Sequence, residues 1–143
     1  MRTILVSLLL LVAVPVLAQP APQTDTSKSV VVHIGQYTND LHSAAMGLGL
    51  AGMLQGAGAD VTVFIDREAV RMADAAHPLL TYGDSDVGAL MSSFIEGGGR
   101  FVVCPHCAEL GGVEASELRE GTEMGTKASI AQLFLAADTV IDY

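Results

Sequence analysis

The feature that most constrains the fold of this chain is a repeated alternation of short β-branched apolar runs with longer helical segments. The first three runs are SVVVHIG (29–35), DVTVFID (60–66) and RFVVC (100–104). Their centres are continuously apolar instead of alternating with polar residues, which predicts strands buried on both faces. Such strands, separated by helices, predict a parallel sheet with helices on both of its faces.

Capping residues and glycines predict where the helices begin and end. Asn39 or Asp40 can cap a helix that ends near Gly56, and Asp86 can cap one that stops at a triple glycine. The remaining predicted elements are a loop over 73–85, a short helix in EASELREG (114–121), a helix over 127–137 and a last strand in DTVIDY (138–143). The resulting order is β-α-β-α-β-α-α-β.

The amino terminus is typical of an export signal. Arg2 is followed by an apolar run from Ile4 to Leu17, and Val16 and Ala18 are the small residues that signal peptidase prefers. The run is shorter than the roughly 20 residues of a membrane span. The sequence therefore predicts a signal peptide (1–18), a flexible leader (19–28), a single domain (29–143) and a periplasmic location.

Charge and glycine content restrict the partners. The net charge is −9 and no basic residues cluster, which argues against nucleic acid and against an anionic membrane surface. The predicted first helix, LHSAAMGLGLAGMLQG, is apolar and contains three internal glycines, each costing about 1 kcal/mol relative to alanine. Close packing on the sheet or on a neighbouring subunit would offset this cost, so we predict a homo-oligomer.

The only two cysteines lie in the motif Cys-Pro-His-Cys at 104–107. Cys104 ends a predicted strand, and ligands of parallel sheets bind beyond the carboxyl ends of the strands. Pro105 suits the first position of a helical turn that Cys104 would cap, where unpaired N–H groups favour a thiolate. We predict Cys104 as the nucleophile and Cys107 as a resolving thiol.

Other chemistry is compatible with two cysteines at this spacing. An exported protein can hold them as an inert disulfide, and a metal site would need further ligands such as His33 and His106. Covalent haem attachment is excluded because residue 108 is alanine. The thioredoxin fold is excluded because too little chain follows Cys107. We predict no metal and no cofactor.

Several polar residues are expected near the same end of the sheet. His33, Tyr37 and Asn39 lie at or after the end of the first strand and, with His106, are candidates for substrate binding. Helix capping explains Asn39 equally well. Arg67, after the second strand, could hold an anionic sulfur species or face solvent.

Both halves of the mature chain resemble the DsrE/DsrF-like family. The first half is carried by VVVHIGQYTNDLHSAAMGLGLAGMLQGAGADVTVFIDREAV. The second half has a strand ending in Val-Cys (Val103, Cys104), then a small residue and Gly-Val, then Leu-x-x-Gly; these later positions are Ala108, Gly112, Val113, Leu118 and Gly121. The final ADTVIDY is similar to the last strand of the family.

This resemblance implies a three-layer α/β/α sandwich with four or five parallel strands, oligomers, and a persulfide on Cys104 within a sulfur relay. The predicted export and the second cysteine, Cys107, differ from what the resemblance implies for a protein that only carries sulfur. We predict a periplasmic protein that carries or transfers sulfur, with a small sulfur species or a sulfur donor or acceptor protein as its partner. A thiol–disulfide oxidoreductase and a non-catalytic interaction module remain alternatives.

Overall fold

The structure is a computed structural model that describes residues 27–143. The predicted signal peptide (1–18) and all but the last two residues of the leader (19–28) lie outside the described residues. The strands are β1 (Ser29–Ile34), β2 (Asp60–Ile65), β3 (Thr81–Tyr82), β4 (Ser85–Asp86), β5 (Arg100–Val103), β6 (Thr122–Met124) and β7 (Thr139–Asp142). The α-helices are α1 (Leu41–Gly56), α2 (Val87–Glu96), α3 (Pro105–Gly111) and α4 (Lys127–Ala136), with 3₁₀ helices at Arg67–Met72 and Ala115–Glu117.

Five strands form one sheet in the order β6-β5-β2-β1-β7, and every neighbouring pair is parallel. The predicted α/β fold with a parallel sheet is therefore confirmed. Because all five strands run in the same direction, their carboxyl ends share one edge of the sheet, and the residue after β5 is Cys104. The remaining two strands, β3 and β4, form a small antiparallel hairpin.

The larger core lies on the face covered by α1, α2 and α3. Alternate residues of β1, β2 and β5, such as Val32, Val63 and Phe101, are fully buried there. Helix α1 contacts this face through small side chains, of which Ala44 and Ala51 are fully buried. Small side chains allow the helix to lie close to the sheet, and this packing explains Gly47, where a Cβ would lie 3.0 Å from Ile34.

The opposite face carries a smaller core beneath a single helix. Val31, Phe64 and Val102 are buried against the apolar side of α4, and Phe64 meets Phe134 edge to face at 5.2 Å. Helices therefore cover both faces of the sheet, as predicted, but within residues 27–143 one of the layers consists of α4 alone.

Three local predictions differ from the structure. Strand β6 was not predicted because Thr122–Met124 is short and polar, and it pairs with one neighbour only. The predicted loop over 73–85 contains the β3 strand of the hairpin. The predicted helix over 114–121 is wrong beyond one 3₁₀ turn, since Leu118 is extended (φ −64°, ψ 138°) and bridges to Asp74.

Among residues 27–143, no helix has the length and apolarity needed to cross a membrane.

Candidate functional site: a cysteine pair at the carboxyl edge of the sheet

Cys104 joins strand β5 to helix α3. Its N–H donates to the carbonyl of Ile65 at 2.9 Å, which extends the sheet pairing by one residue. Its sulfur accepts the N–H of Cys107 at 3.4 Å and thereby caps α3, with Pro105 at the first helical position. The Cys104 sulfur thus lies against the amino-terminal turn of α3, whose first backbone N–H groups have no partner within the helix.

Cys107 occupies a different environment one turn later. It packs against the larger core, whereas Cys104 packs against the smaller core under α4. Burial is the main cause that raises the pKa of the Cys107 thiol, and its hydrogen bond with Cys104 acts in the same direction. The backbone amide of Arg67 opposes these effects by favouring the thiolate. Both cysteines are free thiols in the structure.

An open cleft of about 680 Å³ adjoins Cys104. His106 and Glu109 of α3 and Lys127 of α4 supply its polar and charged groups, and Pro105, Ile130 and Ala131 supply its apolar wall. Cys107 does not line this cleft. The geometry therefore gives Cys104 access to a small molecule or to a side chain of another protein. A second cavity of about 460 Å³, bordered by Leu79 and Arg119, contains neither cysteine.

His33 lies at the same edge but one strand away from the cysteines, because β2 separates β1 from β5. Its Nδ1 atom is 2.5 Å from Asp142 Oδ1, a carboxylate of β7. Its buried Nε2 atom is 2.9 Å from Asp66 Oδ1, at an angle that does not meet the geometry of a hydrogen bond. Asp66 Oδ1 also accepts Arg67 Nε at 3.0 Å. His33 therefore borders the cysteine pair through Asp66 and does not line the cleft.

The remaining predicted substrate-binding residues are dispersed. Tyr37 is 1% exposed, and its hydroxyl accepts Leu80 N–H at 2.7 Å and donates to the Pro78 carbonyl, so it anchors the 73–85 segment. Burial raises the pKa of the Tyr37 hydroxyl. Asn39 is exposed and donates to Gln36.

Helix capping at the start of α1 belongs to Asp40, whose side chain accepts Ser43 N–H at 3.1 Å. His106 is the one predicted substrate-binding residue that the structure brings to the cleft beside Cys104.

Sequence reasoning missed Asp66, Lys127 and Ile130. Asp66 directly follows β2, and the pairing of β2 with β5 sets it beside Cys104. Strand order would have identified it, but strand order was not predicted. Lys127 and Ile130 reach the cleft because α4 crosses the face on which Cys104 lies. Within residues 27–143, no three His, Cys, Asp or Glu side chains cluster so that they could hold a metal ion.

Comparison with known proteins agrees with this arrangement. Residues 28–143 match the family model described as the DsrE/DsrF-like family. The chain belongs to the DsrE/DsrF-like family. No curated protein matches the sequence.

Two solved structures have the same fold as this DsrE-like chain. One is the ychN protein from E. coli, with 20% identity, a TM-score of 0.63, and coverage of 82% of this chain and 99% of that one. The other is MTH1491 from Methanobacterium thermoautotrophicum, a protein of unknown function, with 18% identity, a TM-score of 0.60, and coverage of 82% and 100%. At these identities the similarity establishes the fold.

Proposed function

We propose that this DsrE-like protein carries sulfane sulfur as a persulfide on Cys104. The observation that carries the proposal is that the Cys104 sulfur caps α3 and also lines the open cleft. A nucleophilic sulfur needs hydrogen-bond donors beside it and access to a reactant. Family membership supports sulfur relay as the setting for this chemistry.

The proposed reaction is a transfer without net oxidation. The Cys104 thiolate attacks the terminal sulfur of a donor persulfide, a new S–S bond forms, and the donor leaves as its thiolate. The outer sulfur is then attacked by an acceptor thiolate, and Cys104 leaves as a thiolate. The Lys127 ammonium in the cleft wall would favour anionic donors and intermediates.

Thiol–disulfide exchange is the second candidate function, and the position of Cys107 favours it. Cys107 is one helical turn from Cys104, and its N–H contacts the Cys104 sulfur. Loss of two electrons to an acceptor disulfide would join the two cysteines and release the acceptor as a dithiol. Cys107 is partly buried against the larger core and does not line the cleft.

Export to the periplasm is part of the proposal and rests on the sequence of residues 1–18. A periplasmic location would restrict partners to small sulfur species and to exported donor or acceptor proteins. Amino-terminal sequencing of the protein from its native host is expected to give Gln19 as the first residue. Material that retains Met1 and sediments with the membrane would refute export.

Peptide mass spectrometry tests the sulfur-carrying role. The reduced protein is incubated with inorganic polysulfide, and the cysteine-containing peptide is examined for the mass of one added sulfur atom. We expect the addition in the natural protein and in Cys107→Ser, and its absence in Cys104→Ser. If Cys104→Ser acquires the sulfur as readily as Cys107→Ser, Cys104 is not the carrier. If neither variant acquires it and mixed disulfides form instead, thiol–disulfide exchange replaces the proposal.

A further inference from the structure

Arg67 has an unusual backbone conformation beside the cysteine pair. Its φ is 45°, and it is the only non-glycine residue with positive φ in the part of the chain that the structure describes. Such a conformation is unfavourable for residues with a side chain and persists where surrounding contacts maintain it. Arg67 is the second residue after the central strand β2, and it begins the 3₁₀ helix at Arg67–Met72.

The side chain of Arg67 lies against the backbone of Gly35. A Cβ atom placed on Gly35 would lie 1.7 Å from an Arg67 terminal nitrogen and 2.1 Å from its Cζ atom, so the guanidinium occupies the space above the Gly35 backbone. The Nε atom donates to Asp66 Oδ1 at 3.0 Å. Two contacts from neighbouring parts of the sheet edge therefore hold one side chain in place.

The Arg67 backbone belongs to the element that packs beside Cys107. The 3₁₀ helix packs against α3, the helix that contains Cys107. Burial is the main cause that raises the pKa of the Cys107 thiol, and the charge of Asp66 acts in the same direction, whereas the backbone amide of Arg67 acts to lower that pKa. The left-handed turn at Arg67 redirects the chain from β2 into the 3₁₀ helix, and so fixes the position from which this amide acts.

We propose that Arg67 is a positioning residue for Cys107. Because Gly35 has no side chain, it leaves the space that the Arg67 guanidinium occupies, and this contact keeps the Arg67 backbone in its left-handed conformation. This inference deepens the proposed function, because Cys107 would resolve a persulfide on Cys104. In that step the Cys107 thiolate attacks the Cys104 sulfur, the bond to the outer sulfur breaks, and hydrosulfide leaves. The two protein sulfurs become a disulfide, and the outer sulfur is reduced.

Gly35→Ala tests the proposal with a small change. Gly35 has no positive φ, so its backbone accepts alanine, and the three atoms nearest to the added methyl group all belong to the movable end of Arg67. The matched control is Gly49→Ala, since a Cβ at Gly49 meets nothing within 4 Å. Both are made in Cys104→Ser, which leaves Cys107 as the single thiol, and iodoacetamide alkylation is followed from pH about 6 to about 10.

We expect Gly35→Ala to move the midpoint of the Cys107 rate profile to higher pH and to slow alkylation at neutral pH several-fold, with Gly49→Ala unchanged. Arg67→Ala provides a second variant: it removes the guanidinium while alanine disfavours the left-handed backbone, and it should shift the profile in the same direction. In the chain with both cysteines, Gly35→Ala should prolong the lifetime of sulfane sulfur on Cys104.

An unchanged profile in both Gly35→Ala and Arg67→Ala, with both variants folded by circular dichroism, would overturn the positioning role. That result differs from failure of the sulfur-carrying proposal. The alkylation profile is measured without any sulfur donor, whereas failure of the carrier role appears as absence of added sulfur in the natural chain.

Discussion

At the scale of single residues, the two cysteines of one short motif differ in environment. The sequence predicted the cap at Cys104 and the proline at the first helical position, because both depend on local backbone geometry. It did not predict that Cys107 packs into the larger core, because this depends on how the 3₁₀ helix after β2 packs against α3. The same limitation applies to Tyr37, whose burial depends on the 73–85 segment.

We expect this difference to appear in alkylation of the single-cysteine variants. Cys107→Ser retains the cleft-lining thiol and should react quickly near neutral pH. Cys104→Ser retains Cys107, which is partly buried and whose raised pKa leaves little thiolate near neutral pH, so it should react about tenfold or more slowly. Because deprotonation increases with pH, the difference between the two alkylation rates should become smaller in alkaline solution. Equal, slow rates in both variants would favour the inert-disulfide alternative.

Asp74 supplies a prediction about stability at the same scale. Its buried carboxylate accepts Ala76 N–H at 2.8 Å and contacts His77 Nδ1 at 2.7 Å. The hydrogen bond from Ala76 is the main cause that lowers the Asp74 pKa. Asp74→Asn should lower the free energy of unfolding at pH about 7 by about 1–2 kcal/mol.

The direction in which this stabilisation changes with pH follows from the lowered pKa of Asp74. The stabilisation is present above the ordinary aspartate pKa of about 3.9 and is lost as pH falls through the lower folded value. Urea unfolding of Asp74→Asn and the natural protein should therefore converge in acid, while the exposed control Asp84→Asn should match the natural protein throughout. If the free energy of unfolding of Asp74→Asn stays equally far below that of the natural protein in acid, the carboxylate charge is not the source of the difference.

At the scale of elements, apolar periodicity identified the central strands and the helices. It did not identify strands that are very short. Strands β1, β2 and β5 were predicted because burial on both faces leaves an apolar sequence, whereas the polar edge strand β6 leaves no such pattern. The glycines of α1 also differ from one another. A Cβ on Gly47 would lie 3.0 Å from Ile34, but one on Gly49 or Gly52 would meet nothing within 4 Å.

This difference predicts opposite outcomes for alanine within one helix. Gly49→Ala and Gly52→Ala should each stabilise the protein by about 0.5–1 kcal/mol, because they reduce the entropy of the unfolded chain without a clash. Gly47→Ala should bring no gain, since the new methyl group would crowd β1. Thermal unfolding at equal protein concentration measures all three. Loss of assembly in Gly49→Ala or Gly52→Ala would instead indicate that a neighbouring subunit packs on this face.

At the scale of the whole molecule, the two sides of the sheet are covered unequally. Five strands span roughly 19 Å across the sheet, and one helix is about 10 Å wide. In the described part of the chain, helix α4 therefore leaves part of this face uncovered. Leu135 of α4 and Val140 of β7 are 80% and 48% exposed. Helix α1, on the other side, exposes Met46 and Met53. The sequence predicted an oligomer because α1 is apolar and rich in glycine. The incomplete cover on the α4 face could not be predicted, because it depends on the topology of the sheet.

We expect a homo-oligomer that forms through the α4 face, since exposed apolar surface of this kind is typical of a contact between subunits. Light scattering at micromolar concentration should give more than one chain per particle. Leu135→Lys should dissociate it, because a charge would then be buried in the contact. Met53→Lys, an equally drastic change on the opposite layer, should not. The net charge of −9 adds repulsion between subunits, so salt should strengthen the assembly. A monomeric natural protein would refute assembly, and dissociation by Met53→Lys alone would move the contact to α1.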